Sequence, residues 1–218
     1  MSKNCFTSWS GGKDSCLALY RAMQMGYNPQ ALFTMFSLEN KISSAHRLSE
    51  DIIKAQAKAI GINLVIGKAR FNDYEKVFVE NIKDFKTQGV DYGIFGDIDL
   101  DEHRKWEEQV CSKADITALI PLWHEERKKL VQECINLGFK AKIVVVNTTM
   151  MSSSFLGKDL SHELLDEIEE SGADVCGENG EYHTIVYEGP LFKSSLKLNF
   201  GDEIKAIEGK WAKIDVML

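Results

Sequence analysis

Strand-like and helix-like segments alternate through the first half of the chain, and this alternation restricts its fold more than any other feature. The predicted strands cover Cys5 to Ser8, Ala31 to Phe36, Asn63 to Ile66, Tyr92 to Phe95 and Thr117 to Leu122. The predicted helices cover Lys13 to Met25, Ala45 to Ile60, Asp73 to Gln88 and Asp101 to Lys113. Glycines at the ends of helices favour the left-handed cap, and here they are Gly26, Gly61 and Gly89. Repeated strand–helix–strand units require parallel strands with helices on both faces. The sequence therefore predicts an α/β fold with a doubly wound, Rossmann-like sheet of five parallel strands.

The pattern changes after Trp123. A helix is predicted from Glu125 to Asn136, a strand from Ile143 to Val146 and a helix from Ser161 to Ser171, with short strands from Thr184 onwards. We therefore predict a larger domain over residues 1–123 and a smaller α/β domain over residues 124–218.

Composition excludes several classes of protein. The chain has 218 residues, 44% of them hydrophobic and 27% charged, and no apolar run approaches the roughly 18 residues of a membrane span. Its formal net charge of −7 disfavours a nucleic-acid partner. The five cysteines are scattered without a CxxC pair, and the N-terminus lacks the apolar core of a signal peptide. We expect a cytoplasmic protein with reduced cysteines; a homodimer is left open.

The segment SGGKDS lies where the first strand meets the first helix, and it has the properties of a phosphate-binding loop. It consists of Ser10, Gly11, Gly12, Lys13, Asp14 and Ser15. Adjacent glycines let the backbone approach an anion, and the first N–H groups of the helix point at it. The lysine adds positive charge and the serines add hydroxyl donors. Asp14 either orients a magnesium ion or fixes the loop through backbone N–H groups.

The spacing of this loop differs from GxxxxGK[ST] and from GxGxxG, which argues against a kinase or GTPase and against a dinucleotide enzyme. Ligands of doubly wound sheets bind beyond the carboxyl ends of the strands. The segments Ser37 to Asn40 and Gly96 to Asp99 follow two of these strands, and we predict Ser37, Gly96 and Asp97 as nucleotide contacts.

The SGGKDS loop resembles the pyrophosphate loop of the N-type ATP pyrophosphatases, in the adenine nucleotide alpha-hydrolase-like superfamily. The resemblance implies that ATP binds with Mg²⁺ and that the loop holds its β- and γ-phosphates. It also implies attack of a substrate at the α-phosphorus, which releases pyrophosphate and leaves an adenylated substrate.

A second unusual block runs from Cys176 to Thr184. Glu178 and Glu181 reach one pocket if this segment turns, and there they would bind ammonium, magnesium or a cationic substrate group. His183 is a candidate general base that accepts a proton from ammonia. The alternative interpretation is a structural loop or β-bulge rich in capping residues.

This block resembles the EGGE[FY]E[TS] signature of the diphthine–ammonia ligases, with Asn179 in place of a glycine and His183 in place of a glutamate. Further matches lie at His46, Gln56-Ala57, Gly61-Ile62, Pro121-Leu122-Trp123 and Gly189-Pro190-Leu191-Phe192. The resemblance implies an AMP-forming amide ligase: a carboxylate is adenylated, and ammonia then displaces AMP. The implied acceptor is the diphthine residue of elongation factor 2, or another carboxylate if the chain is a paralogue.

The residues and the resemblance together indicate the site. We predict catalytic roles for Lys13, Asp14, Glu178, Glu181 and His183, where the role of His183 rests on its own chemistry because the signature has a glutamate there. We predict substrate-binding roles for His46, Arg47, Asn179, Gly180, Tyr182 and Thr184. Arg47 is a candidate to bind a phosphate or a substrate carboxylate, and the alternative is a solvated helix start.

Two other functions are weighed against the ligase. One is a tRNA-modifying enzyme with the same adenylation step, and the other is an ATP-binding sensor without turnover. We interpret His103, His124 and His162 as surface or capping residues. The charged run 125–129 has the character of a solvated helix face, although Arg127 within it is a weak candidate for substrate binding.

Overall fold

A computed structural model describes residues 3–39, 43, 46–201, 204–207 and 209–218. The strands are β1 (Asn4–Ser8), β2 (Asn28–Ser37), β3 (Asn63–Ala69), β4 (Tyr92–Ile94), β5 (Thr117–Leu119), β6 (Lys140–Asn147), β7 (Tyr182–Glu188), β8 (Asn199–Phe200), β9 (Lys205–Ile207), β10 (Trp211–Lys213) and β11 (Val216–Met217). The α-helices are α1 (Lys13–Gln24), α2 (Glu50–Ile60), α3 (Tyr74–Thr87), α4 (Asp101–Ser112), α5 (Arg127–Asn136) and α6 (His162–Glu170).

The first sheet has the order β3-β2-β1-β4-β5, and every neighbouring pair in it is parallel. Helices α1 and α2 pack through Leu17 and Ile52 into one apolar core, whereas α3 and α4 pack through Phe78 and Val110 into another. The predicted doubly wound sheet of five parallel strands is confirmed. The chain leaves β1 towards β2 and later returns to β4 on its other side, so the crevice that accepts a ligand opens between the ends of β1 and β4.

Aromatic side chains fill the core under α3 and α4. Phe6 of β1 is fully buried, and its ring stacks on Phe85 at 5.2 Å between centroids and meets Phe95 edge-on at 6.0 Å. Offset and edge-on ring pairs add to the stabilisation that burial of their area provides. This packing holds β1, and therefore the loop that follows it, against a rigid support.

The C-terminal part forms a smaller α/β unit with a four-stranded sheet of order β7-β6-β10-β9, in which neighbours are antiparallel. Strands β8 and β11 pair separately. Buried residues of α1, α5 and β6 belong to one continuous core, for example Leu17, Val131 and Val144. The two sheets therefore share an apolar interior, and the proposed boundary near residue 123 stays a prediction.

Element limits differ from the predicted ones mainly near the site. Helix α2 begins at Glu50, where the Ser49 hydroxyl accepts a hydrogen bond from the N–H of Ile52. The predicted start at Ala45 lies outside the described residues. Arg47 adopts a left-handed φ of 52°, which is incompatible with a helix at that point. None of the helices in the described segments has both the length and the apolar character of a membrane span.

Candidate active site

A cavity of about 650 Å³ opens at the carboxyl edge of the parallel sheet, between the loops after β1 and β4 and the loop before β7. Its lining includes Ser8, Ser10, Lys13, Asp14, Ser15, His46, Gly96, Asp97, Leu100, His103, Cys176, Gly177, Glu178, Asn179, Gly180, Tyr182, His183 and Thr184. Residues from both predicted signatures thus surround one space.

Gln56 fixes the loop after β1 in place. Its side-chain N–H groups donate to the carbonyl oxygens of Gly11 (2.9 Å) and Val186 (2.7 Å), and its own oxygen accepts from the Trp9 indole (3.1 Å). The Val186 N–H also donates to the Gly11 carbonyl at 2.9 Å. Gly11 has a φ of 81°, and a Cβ there would lie 2.5 Å from Gln56 Oε1, so the turn requires glycine.

Lys13 lies buried at the start of α1 and contacts both halves of the site. Its Nζ donates to Asp14 Oδ2 at 2.8 Å and to the Cys176 carbonyl at 2.5 Å, and it lies 5.4 Å from the centre of the Tyr182 ring. Its backbone N–H donates to Thr184 Oγ1 at 3.1 Å. Burial alone would lower the pKa of Lys13, but the negative charge of Asp14 more than offsets it and this pKa lies well above the ordinary value. The side chain is therefore a permanent cation.

The loop after β4 packs directly against the phosphate loop. A Cβ on Gly96 would lie 2.9 Å from the carbonyl carbon of Asp14 and 3.0 Å from the N atom of Ser15. Within the phosphate loop itself, Ser10 Oγ accepts from the Gly12 N–H at 3.3 Å and donates to Ser15 Oγ at 3.1 Å. The hydroxyls are thereby oriented at the edge of the cavity.

The loop before β7 is held by two acidic side chains that point into it. Asp174 accepts from the N–H groups of Cys176 (3.1 Å) and Glu178 (2.9 Å). Glu181 is buried and accepts from the N–H groups of Asp174 (3.3 Å) and Asn179 (3.1 Å). The expectation that Glu181 faces the acceptor alongside Glu178 is not met, because its carboxylate is directed at the backbone of its own loop.

Arg127 connects this loop to the first sheet. Its Nε and Nη2 donate to the two carboxylate oxygens of Asp99, each at 2.7 Å, and its Nη1 donates to Asp174 at 2.7 Å. The interpretation of Arg127 as part of a solvated helix face is wrong, because the planar guanidinium joins two carboxylates from different segments.

Glu178 faces the cavity beside Asp14. Their carboxylate oxygens and Cys176 Sγ all lie within 4.8 Å of one another. Burial, and next the nearby charge of Asp14, raise the pKa of Glu178 to about 7. Burial also raises the pKa of the Cys176 thiol well above its ordinary value, so this sulfur stays protonated and is a poor nucleophile. The two carboxylates form a negative pair that a cation would stabilise.

His46, His183 and Trp211 form an aromatic layer beside these carboxylates. The ring centres of the two histidines are 4.9 Å apart, and His183 stacks on Trp211 at 5.7 Å. His46 Nδ1 donates to the Thr184 carbonyl at 2.7 Å. Burial is the largest cause that lowers the pKa of His46 and, further, the pKa of His183. Both rings are therefore neutral near pH 7, and each keeps a nitrogen that can accept a proton.

The structure brings most of the predicted site residues into this cavity but not all of them. Gly11 and Gly12 shape the loop without lining the space. Ser37 lies outside the lining, where its hydroxyl donates to Glu39 Oε2 at 3.2 Å, and Asn40 lies outside the described residues. Arg47 lines a neighbouring cavity of about 230 Å³ instead.

Sequence reasoning missed one group of cavity residues. His103, interpreted as a surface or capping residue, lines the cavity, and its Nδ1 donates to Asp97 Oδ1 at 2.7 Å. Behind them Glu107 is buried, and no group in the described part of the chain donates a hydrogen bond to its Oε2. The position of His103 in the chain could have indicated this role. The first turn of a helix that follows a strand of a parallel sheet lies at the carboxyl edge of that sheet, where the ligand binds.

Comparison with known proteins identifies the family. The model of the diphthamide synthase N-terminal domain matches residues 3–118, and that of the diphthamide synthase C-terminal domain matches residues 126–217. The chain belongs to the diphthamide synthase family. Two relatives named diphthine–ammonia ligase, from Bos taurus and Homo sapiens, are 29% and 28% identical to it, and each alignment covers 86% of this chain and 79% of the relative.

Among solved structures, a predicted subunit of tRNA methyltransferase from Methanocaldococcus jannaschii is similar, with a TM-score of 0.47 and 17% identity over 88% of this chain and 100% of that one. Membership of the diphthamide synthase family confirms the resemblance that the second signature predicted. The predicted enzyme class is confirmed with it: the protein is an ATP-dependent ligase.

Proposed function

We propose that this enzyme is a diphthine–ammonia ligase that forms an amide in two steps at one site. The carboxylate of diphthine, carried by elongation factor 2, attacks the α-phosphorus of ATP and displaces pyrophosphate. Ammonia then attacks the carbonyl carbon of the acyl-adenylate, and the bond to AMP breaks. The observation that supports this most is that the loop of Lys13 and the loop of Glu178 line the same cavity, so an adenylate made at one loop is already beside the other.

On the nucleotide side, we assign the pyrophosphate portion to the phosphate loop. The N–H groups of Gly12 and Lys13 already donate to Ser10 and Thr184, and the N–H groups of the following residues in the first turn of α1 face the ligand with the positive end of the helix dipole. Lys13 adds a fixed charge, and Ser10 and Ser15 present oriented hydroxyls. Pre-oriented donors of this kind stabilise the charge that develops on a leaving pyrophosphate.

The residues present also fit a magnesium ion. Asp14 and Glu178 supply the carboxylate oxygens that Mg²⁺ prefers, whereas the protonated Cys176 thiol is unsuited to it. Three carboxylates line the described cavity, those of Asp14, Asp97 and Glu178, so nucleotide phosphates need a cation to enter. Bound there, Mg²⁺ would neutralise phosphate charge.

On the acceptor side, we assign the ammonia step to the aromatic layer. A lowered pKa keeps His183 unprotonated, so its free ring nitrogen can take the proton that the attacking nitrogen loses. His46 lies against it and is held by the Thr184 carbonyl. Asn179 and Gly180 form the rim of the same loop.

The test is to incubate the enzyme with ATP, Mg²⁺ and ammonium, with and without elongation factor 2 that carries diphthine. We expect pyrophosphate and AMP in equal amounts, and an acceptor whose mass changes by the exchange of a hydroxyl for an amino group.

Lys13→Ala should abolish pyrophosphate release, because it removes the buried cation of the phosphate loop. Lys129→Ala, at an exposed lysine of α5, is the matched control and should release pyrophosphate like the parent. Release that depends on tRNA, or tight ATP binding without any release, would refute the proposal.

A further inference from the structure

The cavity contains a hydrogen-bonded chain that the proposed function does not use. It runs from Glu107, buried inside α4, to Asp97 after β4 and on to His103 in the first turn of α4. Asp97 and His103 line the cavity, whereas the Glu107 side chain lies behind them.

The arrangement is charged at one end and neutral at the other. Burial, and next a hydrogen bond to Asp97, raise the pKa of Glu107 to about 11, so Glu107 is protonated and donates to Asp97. Burial alone would raise the pKa of Asp97, but the hydrogen bonds from His103 and Glu107 outweigh it and keep Asp97 ionised. The hydrogen bond to Asp97 is the largest cause that raises the pKa of His103, and Glu178 and Glu102 act in the same direction.

Such an arrangement presents an imidazolium to the cavity. With Nδ1 occupied by Asp97, the ring has Nε2 left to donate to a ligand. Among the described residues of the lining, Lys13 and His103 are the cationic ones, and the Lys13 ammonium already donates to Asp14 and Cys176. His103 is half-exposed, and within the described segments its side chain has Asp97 as its one hydrogen-bond partner.

The position of the chain indicates which part of the ligand it meets. The residue next to Asp97 is Gly96, whose backbone approaches Asp14 and Ser15 so closely that a Cβ would collide with them. The imidazolium is therefore hydrogen-bonded to the residue that follows Gly96, and it lies on the β4 side of the cavity.

We propose that His103, held in place by Asp97 and Glu107, binds the pyrophosphate portion of the nucleotide from the β4 side of the cavity. This rests on the proposed function, since it assigns a second cation to the same leaving group. His103 would touch the ligand directly, whereas Asp97 and Glu107 are positioning residues.

The test measures binding of inorganic pyrophosphate, ATP and AMP to the full chain by calorimetry. His103→Gln should bind pyrophosphate and ATP about tenfold or more weakly, because a charge-assisted hydrogen bond is lost, while AMP binding stays unchanged. His162→Gln, at an exposed histidine far along the chain, is the matched control and should bind like the parent.

Two further variants separate positioning from simple charge. Asp97→Asn removes a negative charge from the cavity, so it would tighten anion binding if repulsion were its only effect. We expect the opposite, a loss similar to that of His103→Gln, in EDTA as well as with Mg²⁺. Glu107→Gln should retain parental affinity, because an amide donates to Asp97 as the protonated acid does.

The outcomes are distinguishable. If the parent binds ATP and pyrophosphate but His103→Gln binds them equally well, the inference is overturned and the proposed function stands. Tighter binding by Asp97→Asn, or a defect that disappears in EDTA, also overturns it. If the parent binds neither ATP nor pyrophosphate, the proposed function itself fails.

Discussion

Glu107 illustrates how much a single buried side chain can set the response of this protein to pH. A carboxyl group with an ordinary pKa of 4.5 and a folded-state pKa of about 11 binds its proton more tightly when the chain is folded. Between those values the folded state holds one more proton than the unfolded state. Its contribution to stability is therefore complete below the lower pKa and is lost as the pH rises.

We accordingly expect Glu107→Gln to be more stable than the parent at pH 8, with a difference that shrinks towards pH 5. The slope of the difference in unfolding free energy is at most about 1.4 kcal/mol per pH unit. Urea unfolding at several pH values measures it. Glu108→Gln, at the exposed neighbour paired with Arg104, should show almost no pH-dependent difference; an equal slope in both variants would contradict this account of Glu107.

At the level of elements, the loop after β4 can approach α1 closely because residue 96 is a glycine and has no side chain. Gly96 has no left-handed φ to explain its presence, yet a Cβ there would lie 2.9 Å from the backbone of Asp14. Backbone cannot move aside as a flexible side chain does, so a larger residue must push the two loops apart.

We expect Gly96→Ala to weaken ATP binding severely, by tenfold or more, while the far-ultraviolet circular dichroism stays like that of the parent. Displacement of about 1 Å is enough to cost large factors at a site that depends on orientation. Gly201→Ala is the control, since a Cβ there meets Asp215 at an ordinary 3.5 Å. Parental ATP affinity in Gly96→Ala would show that the β4 loop does not shape the site.

Elements with a strong local signal were predictable, and those that depend on tertiary contacts were not. The parallel sheet followed from alternating segments with glycine ends, and its helices are confirmed within a few residues, apart from the start of α2. The direction of Glu181 was not predictable, because the segment turns as expected but the Glu181 carboxylate accepts from backbone N–H groups of its own loop, a tertiary contact that spacing does not encode. His103 does not stand at a metal-ligand spacing from another histidine or cysteine, so its sequence position did not mark it as a site residue. The role of Gln56 depends on Val186, which is 130 positions away in the chain.

At the scale of the whole molecule, the apolar core does not stop at the predicted domain boundary. Leu17 of α1, Val131 of α5 and Val144 of β6 belong to the same buried cluster. Residues 1–123 alone would expose the α1 face to water, at a cost of about 25 cal/mol per Å² of apolar surface.

We therefore expect the full chain to unfold in one cooperative transition. Tryptophan fluorescence reports on both parts, through Trp9 and Trp211, and circular dichroism reports on all helices. The two signals should give the same urea midpoint within error. Two separate midpoints would mean that the parts around residue 123 fold independently, and the shared core would then contribute little to stability.

The bonds that join Gly11, Gln56 and Val186 have a consequence for how such sequences can change. Three stretches of chain, far apart in order, meet at one amide group with both of its polar ends occupied. Replacement of that glutamine leaves two main-chain carbonyls and the Trp9 indole without their partner, and no side chain introduced at Gly11 or Val186 restores those main-chain bonds. We therefore expect descendants of this gene to tolerate varied apolar residues at Val186 but to retain Gln56, and to keep glycine at position 11, where a Cβ would meet the Gln56 oxygen.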